Sequence, residues 1–143
     1  TKGVETLSVP EGKRTESKLE VQTKSKELAR YTTSICSNEK IFPKRDRWII
    51  TNRIATTALT IMEEVDTANS IYVSTKGDYD LRRRSQTIAL SYTARLLGLM
   101  ELAYLKYSID SKRIRYWTQL VIDTRELIKK WRKSDADRYK KYK

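Results

Sequence analysis

The chain is 143 residues long, about the size of one domain, and its thirty Lys and Arg against eighteen Asp and Glu leave a formal charge of +12. It has no histidine, one cysteine and four scattered glycines, which excludes Ser-His-Asp triads, Cys/His zinc sites, internal disulfides and glycine-rich phosphate loops. Such a positive excess points to a polyanionic partner, nucleic acid first, with an acidic protein or an anionic membrane surface as the other candidates.

Residues 1–16 are polar, carry Gly3, Pro10 and Gly12 and show no periodicity, so they read as a flexible N-terminal arm. The opening stretch also lacks the apolar core of a signal peptide. The longest apolar run, LLGLMELAYL (96–105), is interrupted by Glu101 and falls short of the roughly 20 residues that a membrane span needs. The expectation is a cytoplasmic protein with no membrane segment. Ser17-Lys18-Leu19-Glu20 has the Ser-x-x-Glu form of a capping box and predicts a first helix to about Ser37, with Val21, Leu28, Thr32 and Ile35 near one face.

Pro43 suits the first turn of a second helix, because its missing N–H would have no partner there. That helix runs to about Val73, through Ile50, Ile54, Ala58 or Leu59, Ile61, Val65, Ala68 and Tyr72. Gly77 reads as a chain-reversing residue and Asp78 as the N-cap of a third helix. This third helix extends to about Tyr107 through Leu81, Ser85, Ile88, Tyr92, Leu96 or Arg95, Leu99 and Ala103. Asp110 reads as the N-cap of a fourth, with Ile109 and Ile114 as a hydrophobic staple and a seam at Ile114, Trp117, Val121, Thr124, Ile128 and Trp131. Four long helices with short connections predict an all-α, antiparallel up-down-up-down four-helix bundle over residues 17–134. Residues 135–143 then form a basic C-terminal tail.

Three basic groups stand out. Lys44, Arg45 and Arg47, with Arg53 close behind, crowd a helix start whose dipole disfavours cations and whose free N–H groups favour an anion. In an up-down bundle they share an end with Lys112, Arg113 and Arg115, which makes that end a candidate phosphate site. Trp48 beside them could stack on a base, although a tryptophan at this spacing is more often an end cap of the bundle. Arg82, Arg83 and Arg84 pose the same contradiction at the start of the third helix; they serve either phosphate or salt bridges to Asp78, Asp80 or another helix. Along the fourth helix, Arg115, Arg125, Lys129 and Arg132 are expected on one flank and Asp123 and Glu126 on the other, with Lys130 and Lys133 extending the basic run. From Lys129 to Lys143 there are eight Lys or Arg against two Asp, half of the chain's excess charge.

A second apolar seam on the third helix, Leu90, Ala94, Leu97 and Leu105, exceeds what one bundle-facing side can bury. Homo-oligomer contacts are therefore expected there, with Gly98 and Ala94 permitting close approach; ordinary exposed apolar residues are the alternative. The paired carboxylates Glu63 and Glu64 project about 100° apart on a helix and do not converge on a ligand, so no enzymatic role, metal or cofactor is expected.

Phe42-Pro43-Lys44 followed by an arginine and a long helix, with Ala68-Asn69-Ser70 further on, resembles a family of small four-helix-bundle proteins. The resemblance covers about residues 24–133. One branch comprises the accessory variability determinants of diversity-generating retroelements; the other is encoded in intervening sequences of bacterial large-subunit ribosomal RNA. The second branch carries an acidic-glycine pair near the end of helix two that TANSIYV lacks, which favours the first. What the resemblance implies is a basic, barrel-like homopentamer that binds a reverse transcriptase and its template RNA and supports mutagenic cDNA synthesis. The expected partners are thus RNA, cDNA, the polymerase and further copies of the chain. The rival is a scaffold that docks an acidic protein.

Overall fold

The structure, a computed structural model, describes residues 13–142. Four long helices carry the fold and no strand is present among the described residues: α1 Lys13–Cys36, α2 Asn52–Ser70, α3 Lys76–Lys106 and α4 Ser111–Arg138. α1 packs against α2 and α4, and α3 packs against the same two. The all-helical composition and this contact pattern are those of a helical bundle. The core runs along it through Leu28, Ile54, Ile61, Leu96, Trp117 and Ile128, all fully buried, and each such side chain contributes about 1.5–3 kcal/mol by leaving water.

The first differences from expectation lie at the helix ends. α1 already spans Lys13, so Ser17-Lys18-Leu19-Glu20 falls inside the helix and is not its start. Of the expected arm, 1–12 lie outside the described residues and 13–16 are helical. α1 closes on Asn38, whose side chain accepts the Lys40 N–H and whose carbonyl accepts the N–H groups of Ile41 and Phe42. The reversal is then pinned from below. Phe42 is buried with its ring edge-on to Tyr107 at 5.4 Å and to Trp117 at 6.3 Å.

Pro43 does not open a regular α-helix. It precedes a 3₁₀ turn, Lys44–Asp46, and then a π-helical turn, Arg47–Thr51, in which the Asn52 N–H reaches the Arg47 carbonyl five residues back. Such widened turns are short and local. Ile50 and Thr51 stay buried in it, while Trp48 and Ile49 face solvent.

α3 begins one turn earlier than expected. Thr75 is the N-cap, its hydroxyl accepting the Asp78 N–H, and the Asp78 carboxylate accepts the Ser74 and Thr75 N–H groups in return. The Ser74 amide and hydroxyl, together with Thr75, hold the Asp78 carboxyl below its ordinary range. Gly77 therefore sits in the first turn of α3 and reverses nothing. The buried face of α3 is also rotated from the predicted seam: Leu81 is exposed, while Tyr79, Arg82, Gln86 and Thr93 are buried. Hydropathy misplaces this face because several of its members are polar and find partners inside.

α4 matches its prediction closely at the start, where Asp110 accepts the Arg113 N–H as N-cap and Ile109 is buried. Its seam of Trp117, Val121, Thr124, Ile128 and Trp131 is buried, and Trp117 donates its indole N–H to Thr32 on α1 at 2.9 Å. The end differs. The helix continues to Arg138 and a 3₁₀ turn follows over Lys140–Tyr142, so 135–142 form no loose tail. Tyr139 packs near Tyr79, and the Tyr142 hydroxyl donates to the Ser74 carbonyl.

Candidate nucleic-acid interface

At one end of the molecule the turns between α1 and α2 present Lys44 and Arg45 fully to solvent and Arg47 partly. Arg47 lies 3.4 Å from the exposed Glu39 carboxylate, and the exposed Arg45 is 4.0 Å from the largely buried Asp46, both contacts of little strength. Asp46 has a firmer role, since it accepts the Tyr107 hydroxyl and ties the turn to the end of α3. Burial, reinforced by that bond and by the charge on Asp46, pushes the Tyr107 phenol up to about 12.

Trp48 is the surprise at this end. It is 82% exposed and Ile49 64% exposed. Neither caps the bundle, contrary to the expectation for Trp48: the π turn sets both on the outside while Phe42 fills the end of the core. A large indole in water costs apolar exposure that folding normally removes. Around it, Arg53 is exposed on the first turn of α2.

The start of α4 shares this end, because Phe42 touches Trp117 and Tyr31 meets both Tyr116 and Trp117. Lys112 and Arg115 are exposed there and Arg113 is partly buried beside Tyr31. Burial raises the Tyr31 phenol and the Arg113 cation opposes that rise. The structure thus brings the Lys44–Arg47 turn, Arg53, and the Lys112–Arg115 turn to one end of the fold.

Arg82 is a correction. It is 2% exposed and cannot reach phosphate. Its Nε and one terminal nitrogen donate to the two Asp135 oxygens at 2.6 and 3.1 Å, its other nitrogen faces the Ile71 carbonyl at 3.3 Å, and its guanidinium stacks 5.3 Å from the Trp131 ring centroid. Gln86 donates to the same carboxylate at 2.8 Å. The salt-bridge alternative holds for this residue, with Asp135 as the partner. Arg83 is half-buried against Tyr79 and Arg84 alone of the three is fully exposed.

On α4, the expected separation of charge by flank is not observed. Glu126 lies 3.4 Å from Arg125 and 3.6 Å from Lys129, so acid and base share one side. Lys130 and Lys133 are exposed; Arg132 is half-buried, and burial together with neighbouring Arg83 lowers its guanidinium pKa. On α3, Ala94, Gly98 and Leu105 are exposed and Leu90 and Leu97 half-buried, with Leu102 and Tyr104 adding apolar surface. By length and composition alone α3 would also pass for a membrane-crossing helix. Among the described residues no group of three or more His, Cys, Asp or Glu is assembled that could hold a metal ion.

Arg95 went unassigned by sequence reasoning, which placed it as an alternative to Leu96 on the core seam. It is exposed, with its guanidinium 4.3 Å from the Tyr92 ring centroid. The signal was present: a Tyr followed three residues later by an Arg on one helix face is the spacing for such a stack. The chain matches no known family model, no curated protein and no solved structure.

Proposed function

We propose that this chain is a non-enzymatic RNA-binding accessory protein, an antiparallel up-down-up-down bundle whose basic end neutralises phosphates while Trp48 stacks on an unpaired base. The observation that carries the reading is Trp48 itself, 82% exposed between Lys44, Arg45 and Arg53. Exposed aromatics interleaved with cations are the means by which proteins hold single strands: the cations release counterions from phosphate and the ring accepts any base. The directions of the helices are supported by Lys26 reaching Asp66, Thr32 meeting Trp117, and Arg82 meeting Asp135.

Its resemblance to the accessory variability determinants extends the proposal to a reverse transcriptase and its template RNA in the cytoplasm, with cDNA synthesis as the assisted reaction and the polymerase supplying the chemistry. The exposed Ala94, Gly98, Leu102 and Leu105 stretch of α3 supports self-assembly, with five copies by the same resemblance. A second reading, a scaffold for an acidic protein, is favoured by that same apolar stretch; its contacts would resist salt, whereas phosphate contacts weaken steeply.

The test is equilibrium binding of structured RNA, single-stranded DNA and duplex DNA across a salt series, after light scattering has given the mass of the assembly. RNA is expected to bind with a steep negative salt slope that the Lys44→Glu/Arg45→Glu/Arg47→Glu variant flattens. Trp48→Ala is expected to lose about 1–3 kcal/mol of affinity, the worth of one base stack, with its melting temperature unchanged. Absence of nucleic-acid binding by the wild type at moderate salt would sink the proposal.

A further inference from the structure

Between α2 and α3 lies a groove of about 490 Å³ lined by Asn52, Arg53, Thr56, Thr60, Tyr92 and Arg95, with no carboxylate among its lining residues. Its two guanidiniums contrast with that of Arg82. Among the described residues neither Arg53 nor Arg95 has a carboxylate within 4.0 Å, whereas Arg82 is saturated by Asp135. The Arg95 guanidinium is nonetheless held in place by its stack on Tyr92 at 4.3 Å, which reduces the side-chain freedom that binding would otherwise remove.

The chemistry of this lining is that of a nucleotide site. A guanidinium fork matches two phosphate oxygens; the Thr56 and Thr60 hydroxyls and the Asn52 amide offer further hydrogen bonds for phosphate or ribose; the Tyr92–Arg95 stack presents planar faces to a base. Trp48 and Ile49 stand four residues before Asn52 and Arg53, on the π turn that runs into α2, so the exposed apolar pair precedes the groove along the chain without lining it. A concavity of this size is on the scale of a single nucleotide.

We infer that the α2/α3 groove is a single-stranded RNA subsite in which Arg53 and Arg95 hold a backbone phosphate of the strand whose neighbouring base rests on Trp48. The inference rests on the RNA-binding reading and adds to it a path and a residue, Arg95, that lies on a different helix from the basic turn.

Fluorescence anisotropy of labelled oligouridine with the full chain, in a salt series, tests it. Arg53→Gln/Arg95→Gln is expected to weaken binding about tenfold and to flatten the salt slope by about 0.7 per lost phosphate contact, with an unchanged circular dichroism spectrum. Lys24→Gln/Lys26→Gln removes the same charge elsewhere and is expected to change affinity less than twofold. If the Arg53/Arg95 variant binds as the wild type does while the Lys44/Arg45/Arg47 reversal weakens binding, the groove holds no strand and the RNA-binding reading survives. If the wild type binds no RNA, both fall. A self-complementary duplex RNA that displaces the probe as well as unlabelled oligouridine does would overturn the single-strand assignment.

Discussion

Two arginine-rich helix starts, nearly alike in sequence, end as opposites in the fold. Around Arg82, at the beginning of α3, a guanidinium is buried and matched to Asp135, backbone carbonyls and an indole face, while Gln86 donates to the same carboxylate. Around Lys44 to Arg53, near the far end of α3, the cations face water wholly or in part, Glu39 is exposed, Asp46 is engaged by Tyr107, and a tryptophan stands out among them. The difference is one of partners. A buried charge persists only where hydrogen bonds and a counter-charge replace its lost water, and the first cluster finds those on another helix, while the second finds few of its own. Cation density therefore marks both places, and the unmet demand for an anion marks only one.

The largest expected effect comes from unpairing Arg82. Asp135→Ala leaves a buried guanidinium without its counter-charge and is expected to cost about 3–5 kcal/mol in urea unfolding, a large share of the 5–15 kcal/mol typical of a whole domain. Replacing both partners, Arg82→Met with Asp135→Leu, is expected to recover most of that loss, because no charge remains to be desolvated. A loss under about 1 kcal/mol in Asp135→Ala would mean that the pair behaves as a surface contact, and the contrast between the two ends would collapse.

At the basic end the firm contact is the Tyr107 hydroxyl on Asp46. Tyr107→Phe keeps the ring against Phe42 and is expected to cost about 1 kcal/mol, the net worth of one hydrogen bond. The pH dependence gives the sign. The phenol is raised from 10.0 in the unfolded reference to about 12 in the fold, so its stabilising share is whole below pH 10 and disappears as pH climbs from 10 toward 12. The gap between wild type and Tyr107→Phe should be constant below pH 10 and close above it. Cys36, whose thiol burial pushes up to about 12, loses its own share in the overlapping alkaline window. It is common to both proteins and cancels in their difference.

How much of this was legible in the sequence follows from how local each cause is. Asp110 and the α4 seam were readable because a cap and a three-four spacing act within a few residues. The Thr75–Asp78 capping box is equally local, but both of its members are cap-type residues, and spacing alone does not say that the hydroxyl at Thr75 is the cap and Asp78 its reciprocal partner. Arg82 could not be placed because its partner lies 53 residues away. The buried face of α3 was hidden in part by the same cause, as Gln86 counts as polar until its partner 49 residues away is known, whereas Thr93 satisfies its hydroxyl locally on the Leu90 carbonyl. Trp48 escaped because a π turn, which adds a residue to one helical turn, has no signature in a 3.6-residue pattern. Of the candidate interface, the basic residues were visible as composition, whereas the groove with Arg95 required two helices to be set side by side.

The smallest effect is the sharpest control on the comparison. Arg47 and Glu39 make an ion pair of 3.4 Å, not much longer than the contacts of Arg82, and a count of salt bridges would rank the two alike. Both Arg47 and Glu39 side chains are about half exposed, so water and salt screen their attraction and two long side chains lose freedom to form it. Glu39→Ala is therefore expected to shift unfolding by no more than about 0.5 kcal/mol. It should meanwhile strengthen RNA binding, because it removes a negative charge beside Lys44, Arg45 and Arg47 and frees a guanidinium for phosphate. Weaker RNA binding in Glu39→Ala would show that the carboxylate positions Arg47 for its ligand, and would move this end of the molecule toward the preorganised character of the Arg82 site.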